Sequence, residues 1–331
     1  MNIYYHADVE ERAYEGRSQM SVLLRNFLEK NGFAFVSDPN DADLIHFHSS
    51  GVLDSFIAAR MKKKYHVPVI YSLYSVSKTE PLNHFRNHIA QRYYLRKRKT
   101  SFLLSYSAVL PLRLRGFKLW ELDAVVTPSH FVRKMLGRNA ELIRLGIDTD
   151  KYKPMRVKRG GKLCVGYFGH PSVYKGVLDF ARASRLLDCE CFVYISDVSA
   201  RMLESLKNIN PQLKIIGHVQ DIASEYNKMD IIVLPYRSHL AGVANPLVLL
   251  EAMACGKAIV TTDFDYLKEI VKDAALMVKP YRPRQIVDAV KKLTDEKLRD
   301  ELGKRARKIV VEEFDQQTMF RKYAALYRRL T

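Results

Sequence analysis

Residues 244–264 have the sequence ANPLVLLEAMACGKAIVTTDF, in which an apolar helical run is followed at once by an apolar strand-like run. Pro246 suits the first turn of a helix, because its missing N–H would be unpaired there, and Asn245 is a suitable cap. Residues 257–262, KAIVTT, are short and rich in β-branched residues, which is typical of a buried parallel strand. The stretch therefore predicts an α/β architecture.

A single carboxylate, Glu251, lies in the middle of this apolar helix. The first turn of the predicted helix offers free N–H groups and the positive end of the helix dipole, which together suit a phosphate. Leu247 and Glu251 are four residues apart and share a helix face. Glu251 can then accept hydrogen bonds from the vicinal hydroxyls of a sugar beside that phosphate. The residues alone leave a solvated helix glutamate as an open alternative.

The alternation of strand and helix runs along the whole chain. Strand-like runs such as NIYY, DLIHFH and VPVIYSL occur early, and KLCVGYFG, CFVYIS and DIIVLPY occur later. Helical patterns lie between them, for example MSVLLRNFLEKNG at residues 20–32. This order predicts doubly wound parallel sheets, whose ligands bind beyond the carboxyl ends of the strands.

The alternation breaks at residues 151–162, KYKPMRVKRGGK, which are basic, contain proline and glycine and have no apolar periodicity. We predict a first α/β domain over residues 1–156 and a second over residues 157–313, joined near residue 156. The two face each other across a cleft. A C-terminal helix over residues 314–331 is expected to pack back on the first domain.

The composition narrows the classes of partner. A net charge of +18 suggests nucleic acid, anionic lipid or phosphorylated substrates. No apolar run approaches the roughly 20 residues of a membrane-spanning helix, and the N-terminus lacks the pattern of a signal peptide. The four cysteines form no CxxC pair, which favours buried thiols in a reducing cytoplasm.

A basic segment over residues 84–120 is the second feature of interest. Residues 81–120 contain no aspartate or glutamate, and RKRK at 96–99 is followed by FLL at 102–104. Such a segment, with aromatic residues nearby, suits an anionic membrane surface, whereas a solvated basic helix is the alternative. A nucleic-acid interface is not favoured, because no helix-turn-helix, RNP or zinc-finger signature is present.

The motifs of this chain resemble those of the family 4 glycosyltransferases, which are retaining group 1 enzymes with the GT-B fold. LEAMACGKAIV is similar to that family's LEAMACGxPVV signature. Further similar stretches occur in the family's order: YEGRSQMSVLLRNFLEKNG, DADLIHFHSSG, VPVIYSLYS, DAVVTPSHFVRKML, IRLGIDTDKYKP, VGYFGHPSVYKG and DIIVLPY. The resemblance covers nearly the whole chain. It implies two Rossmann-like domains, of which residues 1–156 bind the acceptor and residues 157–313 bind the nucleotide sugar, and it implies transfer of the sugar from the nucleotide.

The resemblance also implies roles for matching residues. Glu251 matches the glutamate that binds the nucleotide ribose, and Lys175 matches the lysine that neutralises the donor diphosphate. The helix start at residues 245–247 lies beside the nucleotide. Gly16 matches the loop glycine whose backbone approaches the donor, which only a residue without Cβ allows.

Three positions depart from the family's pattern, and all belong to the expected sugar site. Val243 stands where a second glutamate is usual, His170 where an arginine is frequent, and Tyr74 where a histidine is frequent near the reacting carbon. Because His170 can donate to a phosphate and Tyr74 to a sugar hydroxyl, we take both as candidate catalytic residues together with Lys175. The departures leave three alternatives open: an unusual donor sugar, sugar contacts from elsewhere, or weak or absent catalysis.

No metal ion is expected, and no cofactor besides the nucleotide sugar as co-substrate. Residues 148–150 and 263–265 have the form DxD, but one precedes the linker and the other follows a strand, where aspartates make turns. His46 and His48 alternate on one strand face, and no carboxylate or cysteine partner for them is evident. This favours core packing or contact with an acceptor.

The resemblance thus implies a retaining, metal-independent, hexosyltransferase-like enzyme of glycan biosynthesis. It would move a sugar from a nucleotide-sugar donor to a glycan or lipid-linked acceptor, in the cytoplasm or on the cytoplasmic face of the membrane. One alternative is a GT-B-shaped nucleotide-binding scaffold that has lost transfer activity. A third is a basic nucleic-acid binder.

Overall fold

The computed structural model describes residues 1–7, 16–49, 54–74, 81–95, 117–136, 140–157, 161–239 and 245–331. Its first sheet has six parallel strands in the order β2-β1-β3-β4-β5-β6. The strands are β1 (Asn2–Ala7), β2 (Ala34–Val36), β3 (Leu44–Ser49), β4 (Val69–Leu73), β5 (Ala124–Thr127) and β6 (Glu141–Leu142). The helices between them are α1 (Gly16–Lys30), α2 (Asp54–Tyr65), α3 (Pro81–Leu95) and α4 (His130–Leu136).

The second sheet also has six parallel strands, in the order β12-β11-β10-β7-β8-β9. They are β7 (Cys164–Phe168), β8 (Glu190–Tyr194), β9 (Lys214–Ile216), β10 (Ile231–Leu234), β11 (Ala258–Thr262) and β12 (Ala275–Val278). The helices in this part are α5 (Val177–Ser184), α6 (Ala200–Ile209), α7 (Ile222–Lys228), α8 (Leu247–Ala254), α9 (Asp265–Val271), α10 (Pro283–Lys292) and α11 (Glu296–Glu313). A last helix, α12, spans Gln316–Leu330. The predicted doubly wound α/β fold is confirmed.

We call residues 1–156 the first half and residues 157–313 the second half. In each sheet the strand order reverses beside the first strand of its half, between β1 and β3 in the first and between β7 and β10 in the second. Ligands of open α/β sheets bind beyond the carboxyl ends of the strands at such a reversal. The loops that follow β7 and β10 are therefore the place to look for a bound nucleotide.

One hydrophobic cluster contains residues from both halves. It includes Tyr71 and Leu73 from β4, Ile232 and Leu234 from β10, and Met253 from α8, all of them buried. The two sheets therefore share a continuous hydrophobic core.

Helix α12 returns to the first half. Tyr323 and Tyr327 are fully buried in a cluster with Ile3 of β1 and Ile70 of β4. The chain reaches that position through backbone hydrogen bonds between Ile147 and the segment around residue 315, with N···O distances of 2.9 and 3.0 Å.

One local expectation is wrong. Helix α8 begins at Leu247, and Pro246 is its N-cap, with φ −65° and ψ 117°, instead of lying inside the first turn. Asn245 is therefore one residue too early to cap the helix. Because the ψ of Pro246 is extended, the helix begins one residue later, at Leu247.

Candidate active site

Lys175 ends a short 3-10 turn, Val173–Lys175, that follows β7. The turn closes with a hydrogen bond from the Lys175 N–H to the Ser172 carbonyl, 3.0 Å. Gly176 comes next with a φ of 79°, and a Cβ at this position would lie 1.9 Å from the Pro235 carbonyl oxygen. The lysine is thus held where the loop after β7 presses against the loop after β10.

A buried ion pair fixes the second of these loops. The Arg237 guanidinium donates to both carboxylate oxygens of Asp179 on α5, at 2.5 and 2.6 Å. Asp179 is 3% exposed, and the Arg237 N–H also donates to the Tyr174 carbonyl, 2.8 Å. Sequence analysis missed this pair, although an aspartate within the apolar run VLDFA was a visible signal.

Glu251 lies on α8 with its carboxylate turned toward aromatic residues. The Tyr226 hydroxyl donates to Glu251 Oε2, 2.9 Å. Burial raises the pKa of Glu251 above its ordinary value, and hydrogen bonds from Tyr226 and Tyr152 oppose part of this rise. The two tyrosines orient the carboxylate, so Glu251 is not a solvated helix residue. The sequence pattern held no sign of this, since Tyr152 and Tyr226 come from distant segments.

The start of α8 faces the first half. Asn245 is buried, and the Pro246 carbonyl accepts from the N–H groups of Leu249 and Leu250 at 3.0 and 3.2 Å. Leu247 packs against both the cluster shared by the two halves and the cluster around α12. The N-terminal turn of α8 consequently lies beside the first half.

Tyr74 follows β4 and is 1% exposed. Its hydroxyl is 2.6 Å from that of Tyr323 on α12, and its ring lies 4.6 Å from the ring of His48. Burial raises the pKa of Tyr74 to about 12. This residue is therefore a neutral hydrogen-bonding group in the core of the first half.

The hydrogen bond between Tyr74 and Tyr323 is the first of a buried series of hydrogen bonds. Tyr323 is 2.9 Å from Ser72 Oγ, Ser72 is 2.7 Å from His46 Nε2, and His46 Nδ1 is 2.5 Å from the Tyr327 hydroxyl. Burial, together with the neighbouring His48, holds the pKa of His46 well below its ordinary value. His46 is thus a neutral core histidine that ties α12 to β3 and β4.

The other predicted residues are His170, Gly16 and Val243. His170 is exposed, and its carbonyl accepts from the Tyr167 hydroxyl, 3.2 Å. Gly16 is the first residue of α1. Val243 lies outside the described residues, as do residues 96–116 of the basic segment.

The two DxD strings take part in local contacts. Asp148 Oδ1 accepts from the N–H groups of Asp150 and Lys151, at 3.0 and 2.9 Å, which is an aspartate turn. Asp263 pairs with Lys268 and Lys279, and these hydrogen bonds lower the pKa of its carboxyl. Among the described residues, no group of three or more His, Cys, Asp and Glu side chains could hold a metal ion. Within the same ranges, no helix is both long and apolar enough to cross a membrane.

Residues 161–296, which include both Lys175 and Glu251, match the model of the family described as Glycosyl transferases group 1. This segment of the chain is therefore similar to glycosyl transferases group 1. This confirms the resemblance seen in the sequence for the part that contains the β7 loop and α8.

Two curated relatives are similar to part of this chain. One is N,N'-diacetylbacillosaminyl-diphospho-undecaprenol alpha-1,3-N-acetylgalactosaminyltransferase of Campylobacter jejuni, 32% identical over 47% of this chain and 42% of the relative. Another is the capsular polysaccharide biosynthesis glycosyltransferase CapM of Staphylococcus aureus, 31% identical over 36% of this chain and 31% of the relative. The similarity spans less than half the length of each.

Solved structures share the fold over the full chain. Sucrose-phosphate synthase from Thermosynechococcus elongatus superposes with a TM-score of 0.76 at 17% identity, covering 100% of this chain and 99% of that one. HepE of Anabaena in complex with UDP-glucose gives a TM-score of 0.73 at 14% identity, covering 100% of both chains. The expected GT-B fold is confirmed.

Proposed function

We propose that the protein is a glycosyltransferase that moves a sugar from a nucleotide-sugar donor to a glycan or lipid-linked acceptor. One observation carries this proposal. The segment that matches the family puts Lys175 after β7 and Glu251 on the helix that follows β10, and these two strands flank the reversal of the second sheet. The relatives named for polysaccharide and diphospho-undecaprenol substrates support the acceptor class.

Lys175, Glu251 and the first turn of α8 each have a role in this reaction. The Lys175 ammonium stabilises the charge on the diphosphate as the bond from the sugar carbon to the phosphate oxygen breaks. Glu251 accepts hydrogen bonds from the ribose hydroxyls, and the first turn of α8 adds its positive dipole end. The acceptor oxygen bonds to the same sugar carbon and its proton passes to the departing diphosphate.

Retention of configuration and independence from a metal ion are part of the proposal. Attack from the face that the diphosphate leaves would retain the configuration at the sugar carbon. Lysine and the helix dipole supply positive charge in the place where other transferases use a metal ion.

The test is release of nucleoside diphosphate from a panel of nucleotide sugars in metal-free buffer, since slow transfer to water needs no acceptor. We expect release from one donor, and a loss of about 100-fold in Lys175→Ala, the usual cost of removing one transition-state contact. Lys162→Ala, which removes an exposed lysine of the second half, should keep the wild-type rate. Equal rates in wild type and Lys175→Ala would refute the assigned role.

A second candidate function is a nucleotide-binding scaffold without transfer activity. It is favoured by the burial of Tyr74, which stands at the family's histidine position and is bonded to Tyr323. Nucleotide binding in calorimetry, together with no turnover of any donor in the presence of membrane lipid and glycan acceptors, would select this function.

We further propose that α3 contacts the anionic cytoplasmic face of a membrane. Phe85 and Ile89 are four residues apart on this helix and are 59% and 54% exposed. Arg86 and Arg92 are exposed beside them, and the basic residues 96–99 follow in the sequence. An apolar face with arginines alongside suits a surface of anionic lipid.

Cosedimentation with vesicles tests this contact. The wild type should bind vesicles containing phosphatidylglycerol, less so as salt rises, and Phe85→Ser/Ile89→Ser should bind much more weakly. Leu186→Ser is the matched control, since Leu186 is a similarly exposed leucine of the second half. Equal binding by the double variant, or by vesicles of neutral lipid alone, would exclude this face.

A further inference from the structure

Helix α3 comes between β4 and β5 of the first sheet in sequence, but it packs against the second half. Its last carbonyls are capped from there: Ser199 Oγ donates to the Tyr94 carbonyl, 2.6 Å, and Arg201 donates to the Tyr93 carbonyl, 3.1 Å. Ser199 is also the N-cap of α6, where its Oγ accepts from the Met202 N–H, 3.2 Å. One hydroxyl therefore satisfies the ends of two helices from different halves.

The middle of α3 is held by Tyr281 of the second half. Asn87 Nδ2 donates to the Tyr281 hydroxyl, 2.7 Å. The guanidinium groups of Arg86 and Arg237 lie 5.0 and 5.1 Å from the centroid of the Tyr281 ring. Tyr281 has a φ of 60°, an unfavourable conformation for tyrosine that these contacts maintain.

Between these two anchors, Gln91 reaches the turn that carries Lys175. Gln91 Oε1 accepts from the Val173 N–H, 2.7 Å, and lies 3.4 Å from Ser172 Oγ. Val173 is the first residue of the 3-10 turn, so its N–H has no acceptor within the turn. A side chain from the first half supplies that acceptor, two residues before Lys175.

We propose that Gln91 is a positioning residue for Lys175, so that the turn over residues 172–175 takes its ligand-binding geometry when α3 is docked on the second half. The inference rests on the proposed function, because it needs Lys175 to contact the donor diphosphate. The inference also couples the two halves. Docking of α3 raises the affinity of the second half for a nucleoside diphosphate, and a bound diphosphate stabilises the docked position of α3 in return.

The physical reason is the cost of an unpaired amide. When α3 moves away, the Val173 N–H beside a fully buried Val173 side chain loses its acceptor, and the turn must rearrange to expose it. Lys175 then samples several positions, and a diphosphate must restore one of them as it binds.

The test combines amide hydrogen exchange with calorimetric titration of UDP, ADP and GDP on the whole chain. In Gln91→Ala, exchange in residues 171–176 should become about three- to tenfold faster without any ligand, as expected for one lost hydrogen bond. The Kd of the bound diphosphate should rise by a similar factor. Gln91→Glu keeps an acceptor oxygen and should restore slow exchange.

A double-variant cycle separates positioning from general loosening. Once Lys175→Ala has removed the ammonium, adding Gln91→Ala should cost no further affinity, because no charge remains to be positioned. Gln212→Ala, at an exposed glutamine of the second half, should match the wild type in both measurements.

Three results would overturn the inference: unchanged exchange in Gln91→Ala, faster exchange with an unchanged Kd, or additive losses in the double variant. If the wild type binds none of the three diphosphates, the proposed function fails and the positioning role fails with it. Hydrogen exchange needs no ligand, so it shows whether Gln91 orders the turn over residues 172–175 even when no diphosphate binds.

Discussion

At the scale of single residues, Glu251 shows a conflict between stability and binding. Its carboxyl is oriented by Tyr226, and burial raises its pKa above the ordinary value of 4.5. The folded state therefore holds its proton to higher pH than the unfolded state does. The ionised form destabilises the fold above the raised pKa, and this cost disappears below the unfolded value.

We therefore expect Glu251→Gln to unfold at a higher temperature than the wild type at pH 8, and to lose this advantage as the pH falls toward 4.5. Its affinity for the nucleotide should fall about ten- to hundredfold, because the ribose hydroxyls lose a charged acceptor. Thermal scans across pH and calorimetric titration measure the two effects. A variant that is less stable at pH 8, or that binds as tightly, would contradict this account.

Gly176 is required by both its conformation and its surroundings. Its φ is 79°, and an added Cβ would lie 1.9 Å from the Pro235 carbonyl oxygen. This oxygen belongs to the backbone, so relieving the clash would require a shift of the main chain. We expect Gly176→Ala to cost about 3 kcal/mol or more of unfolding free energy and to displace Lys175. Gly217→Ala is the control, since a Cβ there meets nothing within 4 Å. Equal urea midpoints for the two variants would show that the β7 loop tolerates a side chain.

At the scale of secondary-structure elements, α12 is joined to β3 and β4 by a chain of buried polar groups. His46 is neutral in this chain because burial lowers its pKa below the ordinary 6.5. The unfolded state then binds more protons than the folded state below pH 6.5, so stability is complete above that value and falls as the solution is acidified.

We expect His46→Gln to be less stable than the wild type at pH 8, because the bonds to Ser72 and Tyr327 are altered. Below pH 6.5 its stability should decline less steeply, by up to about 1.36 kcal/mol per pH unit for one histidine. Urea unfolding at several pH values gives the slopes, with His218→Gln, at an exposed histidine, as the control. Parallel slopes for wild type and His46→Gln would show that His46 titrates normally.

At the scale of the whole molecule, Glu269 on α9 of the second half caps α4 of the first. Its carboxylate accepts from Ser129 Oγ, 2.9 Å, and from the N–H groups of His130 and Phe131 at 2.8 and 3.1 Å. Together with the shared hydrophobic cluster, this makes the two halves one cooperative unit.

Calorimetry should therefore show one unfolding transition for the wild type. Glu269→Ala should lose about 2–3 kcal/mol, because the start of α4 is left without its charged acceptor. Glu301→Ala, which breaks an exposed ion pair with Arg305, should cost well under 1 kcal/mol. Two separate transitions in the wild type, or equal losses in the two variants, would mean that the halves fold independently.

The sequence alone determined the α/β architecture and showed the resemblance to glycosyl transferases group 1. Short apolar runs separated by helical patterns indicate parallel strands that are buried on both faces. This pattern lies within each short stretch of sequence and can be seen without knowing the tertiary structure. The basic break near residue 156 separates the strands of the two sheets, since β6 ends at Leu142 and β7 begins at Cys164. The same local patterns predicted that Lys175 follows a strand and that Glu251 lies on a helix.

Only the tertiary structure decided what these residues touch. Three sets of contacts join segments that are far apart in the chain. They are the hydrogen bonds from Tyr226 and Tyr152 to Glu251, the ion pair of Arg237 with Asp179, and the hydrogen bond from Val173 to Gln91. Tyr74 takes up its hydrogen bond with Tyr323, which lies 249 residues away. No local pattern encodes such partners, because they depend on how the two sheets and α12 pack and not on the spacing of neighbours along the chain.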